Sequence, residues 1–306
     1  MKFLALLVAL LLEQVRPLRE DNPAQLWLGR FAEAVERRFS GGEYRHGMIA
    51  WVVLVGSVVA VTGVIFHLLN AMSPLLGLLW GIVVLYFTLG FRRFIERYNE
   101  IEQALRVADV SVACERLGKW RGRSTGEVSA TEIARVAIEQ GLLASHREVF
   151  AIMAWFVVLG PAGAVLYRLA AMLDEKENRR ADEGHGAFGG FARRAFCWID
   201  WVPARLTAAS LTVVGNFEDA AYCWRVQAHQ WTPQADGIVL ASGAGALGVR
   251  LGGAVHVDGG LEPRPDLGTG AEADVDHMRG AAGLIWRALM LWMFVVLLVS
   301  VAHALG

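Results

Sequence analysis

The chain has few charged residues and few cysteines, and both shortages restrict its class. Asp, Glu, Lys and Arg make up 19% of its 306 residues, whereas hydrophobic residues make up 55%. A typical soluble domain is about 25% charged, so this chain has too little charge to cover a water-facing surface of its size. A formal net charge of −1 provides no basic excess for binding nucleic acid. The composition indicates a membrane protein and excludes nucleic acid as a partner.

Motifs for disulfides, metals and nucleotides are missing as well. The three cysteines, Cys114, Cys197 and Cys223, are an odd and widely spaced set that gives no disulfide framework. The sequence contains neither a C-x-x-C pair nor an H-E-x-x-H run, so we expect no metal site. It also lacks G-x-x-x-x-G-K-[ST], which excludes a standard P-loop nucleotide site.

Three stretches with at most one charge are long enough to cross a bilayer, which requires about 20 apolar residues. They are residues 48–69, 71–91 and 284–305. The first two are separated by Asn70 and predict a helical hairpin over 48–91. Arginines flank this hairpin on both sides, and none lies at its turn. Because Lys and Arg favour the cytoplasmic side, we expect a multi-pass protein of the inner (cytoplasmic) membrane with its charged segments in the cytoplasm.

The rest of the chain divides into segments of different composition. Gly160-Pro161-Ala162-Gly163 interrupts an apolar run, which favours a re-entrant or two-half-helix element over a complete crossing. A charged, glycine-containing stretch at 172–195 predicts a loop, and acidic residues after an alanine-rich helix predict a flexible linker. The predicted segments are 1–47, N-terminal hydrophobic and amphipathic helices; 48–91, the transmembrane hairpin; 92–148, a cytoplasmic helical segment; 149–215, re-entrant or membrane-edge helices with a charged loop; 216–283, a Gly/Ala-rich cytoplasmic segment and acidic linker; and 284–306, the C-terminal transmembrane helix.

The fold class that follows is all-α, a polytopic integral membrane protein with helical cytoplasmic segments. Two local motifs refine it. Ser129-x-x-Glu132 matches a capping box and predicts the start of a helix. The string Gly243-Ala-Gly245-Ala-Leu-Gly248 has dinucleotide-loop spacing, but no alternation of strands and helices surrounds it. A tightly packed Ala/Gly helix is therefore the favoured interpretation.

Asp200 and Arg205 are charged residues within an apolar stretch, where an ionised group needs a partner or a purpose. They could form an ion pair, or Arg205 could reach lipid head groups. Alternatively, Arg205 could bind a phosphate or carboxylate in a polar pocket, because its guanidinium has a fork of donors. The sequence leaves these alternatives open.

Four blocks of sequence resemble the CobD/CbiB cobalamin-biosynthesis membrane proteins and their AmpE-like relatives. The matching blocks are 108–111 leading to the turn at 122–125, the helix Ile133–Glu139, the pair Tyr167-Arg168 followed by Leu173-Asp174, and the segments Asp200–Leu206 and Leu247–Gly253. Together they span about residues 108–253, and the hydropathy pattern extends the likeness over most of the chain.

The resemblance implies an ATP-dependent ligase-type enzyme. The family joins a carboxyl group of adenosylcobyric acid to aminopropanol or its phosphate, so ATP and Mg are the implied cofactors and a corrinoid is the substrate. By resemblance, Glu139 and Asp174 would be catalytic. The residues implied in substrate binding are Arg123, Arg135, Asp200, Arg205 and Arg250. Its partners would be the lipid bilayer, a corrinoid intermediate, and other corrin-pathway or membrane proteins.

Three matched places depart from the family pattern. Where the synthases carry Ala-Glu-Asn, Asn-Thr and Ser-Pro-Asn, this chain has Ile138-Glu139-Gln140, Ala171-Met172 and Thr232-Pro233-Gln234. These departures leave open two alternatives: a divergent corrinoid-binding relative, and a non-catalytic AmpE-like signalling or scaffold protein linked to cell-wall or β-lactamase regulation. A small transporter is a weaker third reading, because the clear spans and the charges inside them are few.

Overall fold

The chain is built mostly from helices. The computed structural model describes residues 2–15, 44–122, 128–179, 187–257 and 260–305. Its α-helices are α1 (Lys2–Val15), α2 (Tyr44–Met72), α3 (Pro74–Thr88), α4 (Phe91–Arg106), α5 (Val110–Arg121), α6 (Ala130–Ser145), α7 (Ala151–Leu159), α8 (Pro161–Arg179), α9 (Ala187–Val214), α10 (Phe217–Val226), α11 (Gln234–Leu247) and α12 (Val275–Leu305). A π-helical turn (His146–Phe150) joins α6 to α7, and a 3₁₀ turn (Ala228–Gln230) follows α10.

Short strands occupy the region that the sequence predicts to be a flexible acidic linker, so that prediction is wrong. The strands are β1 (Val249–Gly252), β2 (Val255–Val257), β3 (Gly260–Glu262), β4 (Asp266–Leu267) and β5 (Ala271–Glu272). β1 lies between β4 and β5, pairing antiparallel with β4 and parallel with β5. β2 and β3 form an antiparallel hairpin. Strands of two to four residues, rich in glycine and charge, have no period-two pattern by which a sequence could reveal them.

The chain divides into two compact units. The first unit comprises Met1–Gly90, Arg147–Pro203 and Val296–Gly306, and the second comprises Phe91–His146 and Ala204–Val295. The predicted hairpin lies in the first unit, and all five strands lie in the second.

In the first unit, the predicted helical hairpin is present as α2 and α3. The helices meet at Ser73 rather than at Asn70, because α2 continues to Met72 and α3 starts with Pro74. The Ser73 hydroxyl oxygen caps α3 by accepting a hydrogen bond from the Leu75 amide at 3.3 Å. Proline is suited to the first helical position because its missing N–H would have no partner there.

The interruption at Gly160 divides the next apolar run into two helices of the first unit. α7 ends at Leu159, Gly160 adopts a left-handed φ of 66°, and α8 begins at Pro161. α7 and α8 pack against each other. A Cβ on Gly163 would collide with the Trp155 carbonyl oxygen, so glycine is what allows this close approach. The predicted loop at 172–195 is wrong at both ends, since α8 continues to Arg179 and α9 starts at Ala187.

Among the residues that the structure describes, four helical stretches are long and apolar enough to cross a membrane. They are Gly47–Met72, Pro74–Arg106, Ala130–Leu159 and Val275–Ala302. Large apolar side chains remain exposed along them, such as Val61, Leu79 and Met290, as expected of helices whose outer faces contact lipid. The predicted all-α polytopic membrane fold is confirmed. The stretch Ala130–Leu159 is not among the spans that the sequence predicts, and it overlaps the segment 92–148 that the sequence predicts to be cytoplasmic.

In the second unit, the G-x-G-x-x-G string lies in a packed helix, as the favoured interpretation expected. Gly243 and Gly245 belong to α11, and Gly248 ends it with a left-handed φ of 67°. A Cβ on Gly243 would lie 2.5 Å from Leu142 Cδ1, and one on Gly245 would lie 2.5 Å from the Asp219 carbonyl oxygen. The glycines therefore serve close packing of α11 against α6 and α10.

We predict that Gly245→Ala destabilises the protein, because its Cβ would meet backbone atoms of α10 that cannot move aside. Overpacking of this kind costs about 1–3 kcal/mol, and it outweighs the helix propensity that alanine adds, about 1 kcal/mol. Gly283→Ala is the matched control, because a Cβ at Gly283 has no neighbour within 4 Å among the described residues. Thermal unfolding in detergent should show a lower Tm for Gly245→Ala alone. Equal Tm values for both variants would contradict the packing account.

Candidate functional site

The second unit contains a polar cavity of about 370 Å³. It lies between the first turns of α6, strand β1 and the segments that carry β4 and β5. Its lining includes two arginines and three carboxylates. The lining residues are Ser129, Thr131, Glu132, Arg135, Arg250, Leu251, Ala254, Asp266, Glu272 and Ala273. A cavity with two guanidinium groups among carboxylates can bind a ligand that carries anionic groups.

The start of α6 shapes one wall of this cavity. The predicted helix start is confirmed, because the Ser129 hydroxyl oxygen accepts a hydrogen bond from the Glu132 amide at 3.2 Å. The Glu132 carboxylate instead turns toward β2, where Oε1 accepts from the His256 backbone amide at 2.9 Å. Its Oε2 lies 3.0 Å from Nδ1 of the His256 ring. Ser129 therefore caps α6, whereas Glu132 attaches β2 to the helix.

Three charged residues on one face of α6 bind alternate residues of the β1–β2 segment. Glu132 binds His256, Arg135 Nη2 donates to the Ala254 carbonyl at 2.6 Å, and Glu139 Oε1 accepts from the Gly252 amide at 2.7 Å. The three helix positions are three and four residues apart, so they lie on one face of α6. The strand side of these contacts is not extended throughout, because the backbone turns at Gly252 and Gly253, where φ is positive. The three contacts run in opposite directions along the two segments, so the charged face of α6 and the β1–β2 segment are antiparallel.

The Glu139 carboxylate is buried in this interface. Its side chain is 4% exposed and forms a two-bonded ion pair with Arg264, whose side chain is 16% exposed. The bonds are Nη1–Oε2 at 2.9 Å and Nη2–Oε1 at 3.3 Å. Arg264 also donates from Nε to the Gly253 carbonyl at 3.2 Å and stacks over the Trp231 ring. Glu139 thus holds the β1–β2 connection and the segment before β4 on α6.

Glycine at two consecutive positions allows the backbone to approach these charges. Gly252 and Gly253 both have left-handed φ angles, 74° and 70°. A Cβ on Gly252 would collide with the Pro265 carbonyl oxygen. A Cβ on Gly253 would lie 2.9 Å from Arg135 Nη1 and 2.9 Å from Asp266 Oδ1. The Gly-Gly pair therefore leaves the room in which Arg135 and Asp266 face each other.

The structure brings some of the sequence-predicted site residues together. Arg135 and Arg250 line the cavity, and Glu139 lies beside it through its bond to Gly252. Arg205 belongs to the second unit but is not among the residues that line the cavity, and partial burial lowers the pKa of its guanidinium. Arg123 lies outside the described residues.

Asp174 and Asp200 belong to the first unit rather than to the unit that holds the cavity. Both are buried, and Asp200 Oδ1 accepts a hydrogen bond from the Tyr167 hydroxyl at 2.8 Å. The block that begins with Tyr167-Arg168 and the block that begins with Asp200 are therefore joined by the hydrogen bond between Tyr167 and Asp200.

Sequence reasoning missed several residues of this region. Arg264, His256, Asp266 and Glu272 all fall in the stretch predicted to be a linker. One signal was present, since Arg264 stands between Pro263 and Pro265. Two prolines restrict the backbone around one long charged side chain, a pattern better suited to an ordered segment than to a flexible one.

We predict that Glu139→Gln strongly destabilises the second unit, because it leaves the Arg264 guanidinium buried without its counter-charge. Breaking a buried pair from one side costs about 3–5 kcal/mol. The double variant Glu139→Gln with Arg264→Gln should recover part of this loss, because both charges are removed together. Thermal unfolding of the single and double variants measures the coupling. Additive single effects would contradict the proposed ion-pair role.

The family comparison covers nearly the whole chain. The family model described as CobD/Cbib protein matches residues 4–285. "Cobalamin biosynthesis protein CobD" of Stutzerimonas stutzeri is 35% identical over 299 residues, which cover 96% of this chain and 97% of the relative. The protein of the same name from Chromobacterium violaceum is 36% identical over 238 residues, 76% of each chain.

A more distant relative carries the other family name. "Cobalamin biosynthesis protein CbiB" of Salmonella typhimurium is 27% identical over 280 residues, 86% of each chain. No solved structure matches this chain. The resemblance drawn from the four sequence blocks is confirmed by these matches. The chain belongs to the CobD/CbiB family.

Proposed function

We propose that this protein acts in cobalamin biosynthesis and joins the carboxyl group of adenosylcobyric acid to aminopropanol or its phosphate. Family membership supports the pathway, and the polar cavity of the second unit supports the chemistry. The observation that carries the proposal is the pair Arg135 and Arg250 in one cavity of about 370 Å³. The signalling and scaffold alternative gains no support from the relatives named above, all of which carry cobalamin names.

The cavity residues fit a phosphate-bearing substrate. Arg135 uses one guanidinium nitrogen for the Ala254 carbonyl, while its Nε has no hydrogen-bond partner within the described part of the chain. Arg250 is exposed and lines the same cavity. Together they offer several N–H donors to phosphate oxygens, which guanidinium groups bind in pairs. In this proposal the two arginines bind and orient the phosphorylated substrate and stabilise charge that develops during the reaction.

ATP and Mg²⁺ are part of the proposal. No group of three or more His, Cys, Asp or Glu side chains that could hold a metal occurs among the described residues. Mg²⁺ usually binds through one or two carboxylates together with substrate phosphates, and Asp266 and Glu272 provide two carboxylates in the cavity lining. The donor set therefore fits a metal that arrives with a nucleotide. ATP would supply the activation of the carboxyl group that amide formation requires.

Glu139 suits a positioning role better than a catalytic one. Both of its oxygens accept hydrogen bonds from Arg264, and Oε1 also accepts from the Gly252 amide. A general base needs a lone pair directed at its substrate, whereas these lone pairs are directed at the strand segment. We therefore propose that Glu139 fixes the Gly252-Gly253 connection and, through it, the position of Arg135.

We also propose that the protein lies in the inner membrane with its arginine-rich flanks in the cytoplasm. Four arginines, Arg92, Arg93, Arg97 and Arg106, follow the hairpin in the sequence, and the turn at Ser73 has none. Positively charged flanks favour the cytoplasmic side. In this orientation, Phe91 and the residues that follow it leave the hairpin on the side where ATP is available.

The direct test incubates the purified full chain in detergent with adenosylcobyric acid, aminopropanol phosphate, ATP and Mg²⁺. Mass spectrometry should detect the amide product. Arg135→Gln and Arg250→Gln should each lower kcat/KM by roughly 10–100-fold, because each removes charged hydrogen bonds worth about 1.5–3 kcal/mol. Arg279→Gln is the matched control, since this arginine is 73% exposed on α12.

Thermal unfolding of each variant establishes that the second unit is folded. If the wild-type chain forms no product and binds neither substrate, the proposed function is wrong. If all three arginine variants lose activity equally while remaining folded, the cavity is not the site.

A further inference from the structure

A second cavity, of about 360 Å³, lies in the first unit between α2, α3 and α8. Aliphatic and aromatic side chains form most of its lining. Arg168 on α8 is the one formally charged residue among the described residues that line it. A charged side chain among membrane-spanning helices costs free energy unless it reaches an interface or binds a partner. We therefore expect Arg168 to do one or the other.

The polar neighbours of Arg168 in this cavity are already hydrogen-bonded within their own helices or hairpin. The Thr62 hydroxyl donates to the Val58 carbonyl at 2.8 Å, and the Thr88 hydroxyl donates to the Val84 carbonyl at 2.9 Å. Trp80 Nε1 donates to the Thr62 carbonyl at 3.3 Å. In contrast, Arg168 Nε is buried and has no hydrogen-bond partner among the residues that the structure describes.

The cavity opens sideways to the surface that faces lipid. Val83 and Phe87 on α3 line it and are 43% and 41% exposed. They are one turn apart on the same face as Leu79, which is also exposed. Because α3 belongs to a predicted membrane span, a molecule can enter this cavity from the bilayer between these side chains. This access favours an occupant with an apolar tail over a water-soluble ion.

The cavity extends along the hairpin away from its turn. Thr88 lies fifteen residues beyond Ser73, which corresponds to about 22 Å of helix, whereas the hydrocarbon core of a bilayer is about 30 Å thick. The cavity extends from Thr62 and Trp80 toward Thr88 and Met172. It therefore extends into the half of the bilayer opposite the turn, to within about 8 Å of that boundary, a distance over which a long arginine side chain can reach toward the head groups.

We propose that this cavity binds an anionic phospholipid of the bilayer, with the phosphate on Arg168 and an acyl chain along the apolar wall. The guanidinium fork matches phosphate geometry. The described lining contains no carboxylate, so nothing in it compensates for the ammonium group of a zwitterionic head group. Phosphatidylglycerol, which has no such group, therefore binds in preference to phosphatidylethanolamine. This site is separate from the proposed catalytic cavity and does not depend on it.

The test uses the full chain in detergent, titrated with phosphatidylglycerol or phosphatidylethanolamine of identical acyl chains. Native mass spectrometry counts the bound lipids. The wild-type chain should bind its first phosphatidylglycerol about tenfold more tightly than phosphatidylethanolamine, and Arg168→Gln should abolish the difference. Arg168→Lys should retain part of it, because the charge remains but the fork is lost.

Arg287→Gln is the matched control, because Arg287 lies in a membrane-spanning stretch but is exposed and bonds only weakly to the Gly283 carbonyl, at 3.4 Å. It should keep the wild-type preference. Thermal unfolding reports whether Arg168→Gln remains folded, and Arg168→Lys carries the test if it does not. Equal lipid preference in the wild type and Arg168→Gln would overturn the proposal, as would displacement of the lipid by millimolar inorganic phosphate.

Discussion

The second unit depends on the antiparallel pairing of one face of α6 with the β1–β2 segment. One face of α6 presents Glu132, Arg135 and Glu139, and the β1–β2 segment presents a backbone group at every second residue to meet them. This pairing attaches short strands that could not persist alone, since isolated strands of this length are marginal in water. Because Arg135 is held by the Ala254 carbonyl and faced by Gly253, the same register that orders the strands also shapes the cavity.

The two units differ in the side chains that they expose and in the groups that they bury. In the first unit, α2 and α3 leave apolar side chains exposed and bury small residues between helices, as expected where lipid replaces water. In the second unit, charged groups are paired with strand backbone and with Arg264. A buried ion pair is not in itself a large source of stability. Its value here is specificity, because Glu139 accepts a fork of donors only when Arg264 and Gly252 are both in place.

Features with local signals could be predicted from the sequence. The uncharged runs gave the hairpin, Ser129 gave the start of α6, and the Gly160-Pro161 break gave the boundary between α7 and α8. The family blocks pointed to Arg135, Glu139 and Arg250, which meet in one region. The strands could not be predicted, because their order comes from contacts with α6 more than a hundred residues earlier. Arg264 was missed for the same reason, and Asp174 and Asp200 show that matched blocks need not share one unit.

The register of α6 on the β1–β2 segment is the central claim, and thiol cross-linking tests it most directly. In a chain whose native cysteines are replaced by serine, Glu132→Cys and His256→Cys are combined and treated with a bifunctional reagent that fluoresces only when both arms have reacted. The control pair is Gln140→Cys with His256→Cys, which moves the helix position by eight residues, about 12 Å. The account predicts strong fluorescence for the first pair and none for the second. Equal reaction of both pairs, or faster reaction of the shifted pair, would contradict it.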